Sequence, residues 1–375
     1  MRARPKRILM TADAVGGVWS YAIELTRQLA RRDVEVTLVV MGEKPSIDQA
    51  REAAALPNLS LIGTDFRLEW MRDPEADLQL AGELLLEIEA EQRPDVVHLN
   101  GYAHAVLPFS APVLVVGHSC VSSWWEACRG GRAPQEWRSY EERVAAGLSA
   151  ADLVVAPTQS FLATLLRHHG TPRAARVIPN GRDPALYGAG PKRPVALAAG
   201  RLWDEAKNIA LLREAAAGLP YPVAVAGAAA GPDGTAIDAA PLVALGRLAA
   251  GEVAARLSEA AIFVSPARYE PFGLAVLEAA FSGCALVLAD IPTFRELWDG
   301  AARFVPADDA AGLRTALAEL FEDSCAIAAL AAAARRRAAH YTASRMGAGY
   351  LAAYSDLIGT NAARPPRPAG LRAVA

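Results

Sequence analysis

The sequence is poor in lysine, cysteine and aromatic residues, and it carries almost no net charge. With a formal charge of −3 over 375 residues, it generates no strong field to gather nucleic acid or anionic membrane nonspecifically. Aromatic residues make up only 7% of the chain, which argues against a protein that grips nucleic acid by stacking on its bases. Four cysteines, Cys120, Cys128, Cys284 and Cys325, stand far apart, without CxxC spacing or clustered histidine partners. That pattern excludes a zinc framework and is too sparse for a disulfide scaffold, so free, buried thiols in a reducing compartment are expected. No stretch reaches the roughly 18 apolar residues of a membrane span. The short apolar run behind Arg2, Arg4, Lys6 and Arg7 is cut by Asp13, so it does not make a signal-peptide core. A cytoplasmic location is expected, with membrane contact at most peripheral. Even Arg67–Arg72, which sets Trp70 and Met71 between charges, reads as a surface helix or loop. Lysine occurs only at Lys6, Lys44, Lys192 and Lys207, arginine supplying the other basic positions. A lysine here therefore carries more information than an arginine.

What is abundant is apolar sequence, 53% of the chain, enough to build sizeable cores; the length predicts two domains. Arg7–Ala12 reads as a buried strand, Gly16-Gly17 breaks it, and Val18–Arg31 has helical periodicity. Val34–Val40 is a β-branched run, and Asp95–Leu99, Val113–Val116 and Leu153–Ala156 repeat the theme between Pro, Gly or Asp. Strand, loop, helix, strand at this spacing predicts right-handed βαβ units and a parallel sheet. The Pro- and Gly-rich stretch from Ile178 through Gly188-Ala189-Gly190-Pro191 to Pro194 is the best linker. A second series opens at Val195–Ala199, with a helix at Asn208–Ala217, and continues through Val223–Ala226, Ile262–Val264 and Ala285–Leu288. The expected fold class is α/β, with two Rossmann-like domains, residues 1–185 and 186–342. Ala326–Ala339 and Ser344–Leu357 read as helices, and residues 359–375, with Pro365-Pro366-Arg367-Pro368, as a loose tail. Nothing in the sequence specifies an oligomeric state.

In such sheets ligands bind beyond the carboxyl ends of the strands, which directs attention to three loops. Gly16-Gly17 lets a ligand approach the backbone at a helix N-terminus, but the pair fits a plain tight turn equally well. The absence of GxGxxG argues against a nicotinamide dinucleotide. The segment Gly200-Arg201-Leu202-Trp203-Asp204-Glu205-Ala206-Lys207-Asn208 follows the first strand of the second series, and Arg201 and Lys207 could converge on one polyanion. The strongest candidate is Arg268-Tyr269-Glu270-Pro271-Phe272-Gly273-Leu274-Ala275-Val276-Leu277-Glu278. Pro271 suits the first turn of a helix running through Phe281. Glu270 then lies just outside the helix and Glu278 about two turns inside, on the order of 10 Å apart. That separation is too great for a shared proton, so each acid should accept hydroxyl hydrogen bonds on its own account.

Taken together, Glu270 and Glu278 resemble the E-x7-E motif of retaining glycosyltransferases of family 4. Gly16-Gly17 resembles that family's N-terminal glycine loop, Pro179-Asn180-Gly181 its PNG, Gly200-Arg201-Leu202 with Lys207-Asn208 its GRL…KN loop, and Leu245-Gly246 its short nucleotide-side motif. The resemblance covers nearly all of residues 7–357 and implies a GT-B fold, two Rossmann-like domains facing an interdomain cleft. The first would be the acceptor side and the second the nucleotide-sugar side, with a helix at 343–358 returning to the first. It implies a retaining transferase that moves a hexosyl unit from a nucleotide-diphosphate sugar to a hydroxyl acceptor. A disaccharide phosphorylase on the same scaffold, or a noncatalytic sugar or nucleotide binder, are the alternatives.

The resemblance also implies roles. Arg201 and Lys207 would hold the donor diphosphate, two fixed cations replacing a divalent ion, so that neither metal nor cofactor is required. Glu278 would take ribose hydroxyls and Glu270 those of the donor sugar, near the backbone amides of Phe272, Gly273 and Leu274. Gly16 and Gly17 would line the donor side. His118, followed by Ser119 where the family usually has aspartate, would touch donor sugar or acceptor; His98 and His104 are weaker candidates. Trp124 and Trp125 read either as a sugar-stacking wall of the acceptor site or as ordinary helix packing.

Overall fold

The computed structural model describes residues 4–231, 234 and 237–361. They form two compact units. One takes in the chain up to Glu126, Gly131–Pro179 and the chain from Ala343 onward; the other takes in Ala127–Gly130 and Asn180–Thr342. The chain therefore crosses from one unit to the other between Pro179 and Asn180, a few residues before the position read from sequence. It does so because Asn180 and Arg182 are buried in the second unit, where Arg182 also bridges to Thr342.

The first unit is built on seven parallel strands: β1 (Arg7–Asp13), β2 (Glu35–Met41), β3 (Leu59–Gly63), β4 (Val96–Leu99), β5 (Val113–Val116), β6 (Leu153–Ala156) and β7 (Ala175–Val177). Their spatial order is β3-β2-β1-β4-β5-β6-β7. β1 runs in register with β2 on one side, Ile8 opposite Val36, and with β4 on the other, Ile8 opposite Val96. Chain order therefore reverses direction between β1 and β4, which opens a crevice at their carboxyl ends. The helix Gly17–Ala30 covers one face, and its Tyr21, Ile23 and Leu25 are buried.

Against that helix packs the last one, Ala343–Asn361, which supplies Met346, Tyr350, Ala353, Tyr354 and Leu357 to the same core. Contact is close enough that a Cβ on Gly347 would stand 2.6 Å from the Cβ of Gln28. The helix is longer than its sequence pattern suggests: Gly359, Thr360 and Asn361 belong to it rather than to a tail. Residues 362–375, the remainder of the expected tail, lie outside the described residues.

The second unit repeats the plan with six parallel strands: β8 (Arg193–Ala199), β9 (Val223–Ala226), β10 (Val243–Gly246), β11 (Ala260–Ser265), β12 (Ala285–Ala289) and β13 (Arg303–Val305). Their order is β10-β9-β8-β11-β12-β13, so the reversal falls between β8 and β11.

Central strands were legible because they are buried on both faces: β5, β6, β9 and β12 are buried at every position. The edge strands β3, β7, β10 and β13 were not, because they are short and half-exposed and lack a continuous apolar run. Two other sequence expectations change. Pro271 is not in a helix: Gly273, at φ 86°, stops the chain in a left-handed turn, and the helix runs only over Leu274–Phe281. Glu278 is then its fifth residue, so about one turn of helix, roughly 6 Å of rise, lies between it and the Gly273 turn instead of two turns. Nor are all four cysteines buried. Cys120 and Cys284 are, Cys128 is half-buried and Cys325 exposed, all four free. Arg67–Arg72 is a surface loop, and among the described residues no helix is long and apolar enough to cross a membrane.

Candidate functional site

In the second unit, the loops after β8 and β11 meet at the reversal point. Within the β8 loop Asp204 caps a short 3-10 turn over Glu205–Lys207, its carboxylate accepting from the amide of Ala206 at 3.0 Å. Asn208 then takes a left-handed conformation, φ 56°, and its amide group donates to the carbonyls of Pro266 and Ala307 at 2.9 and 2.7 Å. Those carbonyls follow β11 and β13, so a buried asparagine ties three strand ends together. The amide of Arg268 closes the seam on the carbonyl of Ala206 at 2.9 Å.

This stitching puts Lys207 and Glu270 in contact, Nζ donating to Oε2 at 2.5 Å, both mostly buried. Glu270 is held from behind by Thr293, whose hydroxyl donates to its backbone carbonyl at 2.7 Å. Gly200 lies against the Lys207 side chain, where a Cβ would stand 3.3 Å from Cε. Arg201 is half-exposed; it pairs with Asp204 at 2.8 Å and lies over the Trp203 ring, 5.5 Å from its centroid. Gly273 precedes the Leu274–Phe281 helix without a side-chain cap, leaving first-turn amides for an anion. The Phe272 side chain is buried and meets Tyr341 edge to face, so only its backbone is available to a ligand.

Glu278 does not stand alone. Arg182 Nε lies 2.8 Å from its Oε1, with both side chains about nine-tenths buried. The same guanidinium donates to the Tyr187 hydroxyl at 3.0 and 2.7 Å. Burial and the neighbouring Glu278 charge push the Tyr187 phenol up, so it stays neutral. Sequence reading missed Arg182 and Tyr187. The signal was Arg182 directly behind Pro179-Asn180-Gly181, but in an arginine-rich chain one arginine did not stand out.

In the first unit, the candidates collect at the β1/β4 reversal. Gly16 sits at φ 95°, nothing lies within 4 Å of where its Cβ would be, and Gly17 begins the following helix. His118, after β5, is partly buried and bonds through Nε2 to Asn100 Oδ1 at 2.8 Å. Asn100 follows β4 and was another residue the sequence did not single out. His98 lies beneath, fully buried, with Nδ1 2.6 Å from the Tyr354 hydroxyl. Burial lowers both rings from the usual histidine range to about 3, so both are neutral. His104 turns away from this group toward the carbonyl of Leu78 at 3.1 Å. Trp124 and Trp125 sit on the helix Val121–Arg129, partly buried and edge to face with centroids 6.0 Å apart.

Among the residues missed is also Glu69, whose carboxylate accepts the amides of Tyr102 and Ala103, the latter at 2.6 Å. Burial raises its carboxyl above the ordinary range. It pins the Trp70 loop to the segment behind Asn100.

Comparison with known proteins agrees with this architecture. Residues 15–186 match the family model described as Glycosyltransferase Family 4, and residues 193–323 the one described as Glycosyl transferases group 1. The chain is 28% identical to a D-inositol 3-phosphate glycosyltransferase from Geodermatophilus obscurus, over 92% of this chain and 85% of that protein. A shorter match, 38% identical over 92 residues, joins it to a phosphatidyl-myo-inositol mannosyltransferase from Mycolicibacterium smegmatis and spans 24% of either protein. Among solved structures, a sucrose-phosphate synthase from Thermosynechococcus elongatus superposes with a TM-score of 0.79 at 18% identity, covering 95% of this chain and 100% of that one. Anabaena HepE in complex with UDP and glucose gives 0.73 at 16%, covering 94% and 100%.

Proposed function

The chain belongs to glycosyltransferase family 4, has the GT-B fold and is a transferase, and from that premise we propose that it moves a hexosyl unit from a nucleotide-diphosphate sugar to a hydroxyl acceptor with retention at the anomeric carbon and without a metal ion. The observation that carries this reading is the contact of Lys207 with Glu270 where the loops after β8 and β11 join. A nucleotide-diphosphate sugar needs a cation at its phosphates and an acceptor of hydroxyl hydrogen bonds beside its sugar, and this pair brings both kinds of group to one place.

Each charge arrives with a counter-charge: Lys207 with Glu270, Arg201 with Asp204. These two pairs together are therefore close to neutral. On binding, Lys207 and Arg201 turn to the diphosphate, Glu270 to the sugar hydroxyls and Glu278 to the ribose. First-turn amides of the Leu274–Phe281 helix add positive potential where charge develops on the leaving phosphate. The acceptor oxygen attacks C1 on the face the phosphate leaves; the C1–O bond to phosphate breaks, and the acceptor proton passes to the departing phosphate oxygen. Such a step is driven by positioning and electrostatics and uses no protein nucleophile. Solved neighbours that hold UDP and UDP-glucose support a nucleotide-sugar donor of this kind.

The test is release of nucleoside diphosphate from UDP-, GDP-, ADP- and dTDP-sugars by purified protein, with and without excess EDTA. One donor should be turned over, equally in both conditions. No turnover of any donor, or an absolute need for metal, contradicts the reading. Sugar 1-phosphate formed only when inorganic phosphate is added would make the protein a phosphorylase instead.

A further inference from the structure

The hydrogen bonds behind His118 go beyond holding a side chain in place, because they leave only one neutral tautomer consistent with the geometry. Asn100 Nδ2 lies 2.6 Å from the backbone carbonyl of Thr11, and the Asn100 backbone amide donates to the Thr11 hydroxyl at 3.0 Å. A flipped amide would set two carbonyl oxygens 2.6 Å apart, so the NH2 must face Thr11 and Oδ1 must face the histidines. Oδ1 can only accept. His118 Nε2, 2.8 Å away, must therefore carry a hydrogen. Tyr21 braces the same ring edge to face, with centroids 4.6 Å apart.

A ring that is neutral and protonated at Nε2 has a bare lone pair on Nδ1. Among the described residues no protein group bonds to that nitrogen, and the ring is only partly buried. The arrangement lies at the carboxyl end of β5, next to the β1/β4 reversal where a ligand of such a sheet sits. We infer that Asn100 is a positioning residue, which fixes His118 as the Nε2–H tautomer so that Nδ1 accepts a hydrogen bond from a substrate hydroxyl.

The inference rests on the transferase reading for its substrate but not for its tautomer. The titratable groups facing the ring are His98 from β4 and Tyr21 from the helix Gly17–Ala30, with Tyr350 and Tyr354 of the last helix behind them. None is a carboxylate, so nothing favours an imidazolium, and burial lowers both histidines to about 3. Asn100 is thus required as a neutral acceptor. An aspartate gives up the bond to the Thr11 carbonyl, so its second oxygen must turn away from it, and as a carboxylate beside His118 it would attract a second proton to the ring and convert Nδ1 from acceptor to donor.

The experiment is the imidazole nitrogen spectrum of histidine-labelled protein without substrate, from pH 8 to pH 5.5, compared with N100D. In the wild type His118 should show a protonated Nε2 and a bare Nδ1 throughout. In N100D it should titrate inside this range. Donor turnover by N100D should fall about tenfold or more at pH 7 and rise with pH, whereas the wild type shows no such dependence from this ring. A wild-type His118 protonated on Nδ1, or titrating between pH 5.5 and 8, overturns the inference even if N100D does not fold. So does an N100D enzyme with unchanged rate and pH profile. If K207A also keeps its turnover, the transferase site assignment has failed, and the nitrogen spectrum still decides the tautomer by itself.

Discussion

Lys207 and Glu270 are 63 residues apart in sequence and form a 2.5 Å ion pair, the lysine from the loop after β8 and the glutamate from the loop after β11. Both side chains are about four-fifths buried. Removing either leaves the other charge partly desolvated and unpaired, which costs more than an exposed pair is worth. K207A should therefore lose donor turnover by a factor of about 100 or more, the scale of a lost transition-state electrostatic contact. E270Q should lose turnover while keeping more thermal stability than K207A, because its amide still accepts from the lysine. Steady-state kinetics and melting curves on the two variants check this.

Arg182 answers Glu278 in the same way, with Tyr187 as a second acceptor. R182A strands a nearly buried carboxylate and should destabilise the protein by about 3 kcal/mol. Its KM for the donor should rise, since a carboxylate no longer held in place presents itself poorly to ribose. R182K, a single point charge in place of a fork, should restore stability only in part. Denaturant melts and donor KM values read both effects.

G273A tests the turn between the two acids. At φ 86° a methyl group is strained, and it would come within 3.1 to 3.3 Å of Phe294, Val276 and the Glu270 side chain. The strain is about 1–2 kcal/mol, and relieving it moves Glu270 away from Lys207. Turnover should fall more than the modest loss of melting temperature would suggest.

Stability should also depend on acid in a definite direction. His98 and His118 have pKa values lowered to about 3 by burial, and His169 is lowered to about 4. The unfolded chain then binds more protons than the folded one at intermediate acidity, so stability falls as pH drops below 6.5, the unfolded value, until about 3–4. Each such group contributes at most about 1.4 kcal/mol per pH unit in that window. H98F, which removes the most buried of the three, should flatten the fall of melting temperature between pH 6.5 and 4.

How much of this was legible in the sequence depends on what each signal measured. Apolar runs such as Val113–Val116 and Ala285–Leu288 marked central strands because both faces of those strands are buried. Arg303–Val305 carries no such run and was invisible. The two acids and Lys207 stood out by spacing and rarity. Arg182 and Asn100 escaped because their roles exist only through tertiary contacts, with Glu278 and with Thr11 and His118. Pro271 was placed in a helix on a sound local preference. A glycine two residues later, free to take the left-handed turn, decided the matter against it.

The most direct measurement is nucleoside diphosphate release from the preferred nucleotide-sugar by wild type and K207A at matched fold integrity. The account predicts turnover by the wild type and a loss of about 100-fold or more in K207A, assayed below its lowered but still cooperative melting transition. A K207A enzyme that turns the donor over at the wild-type rate would contradict it.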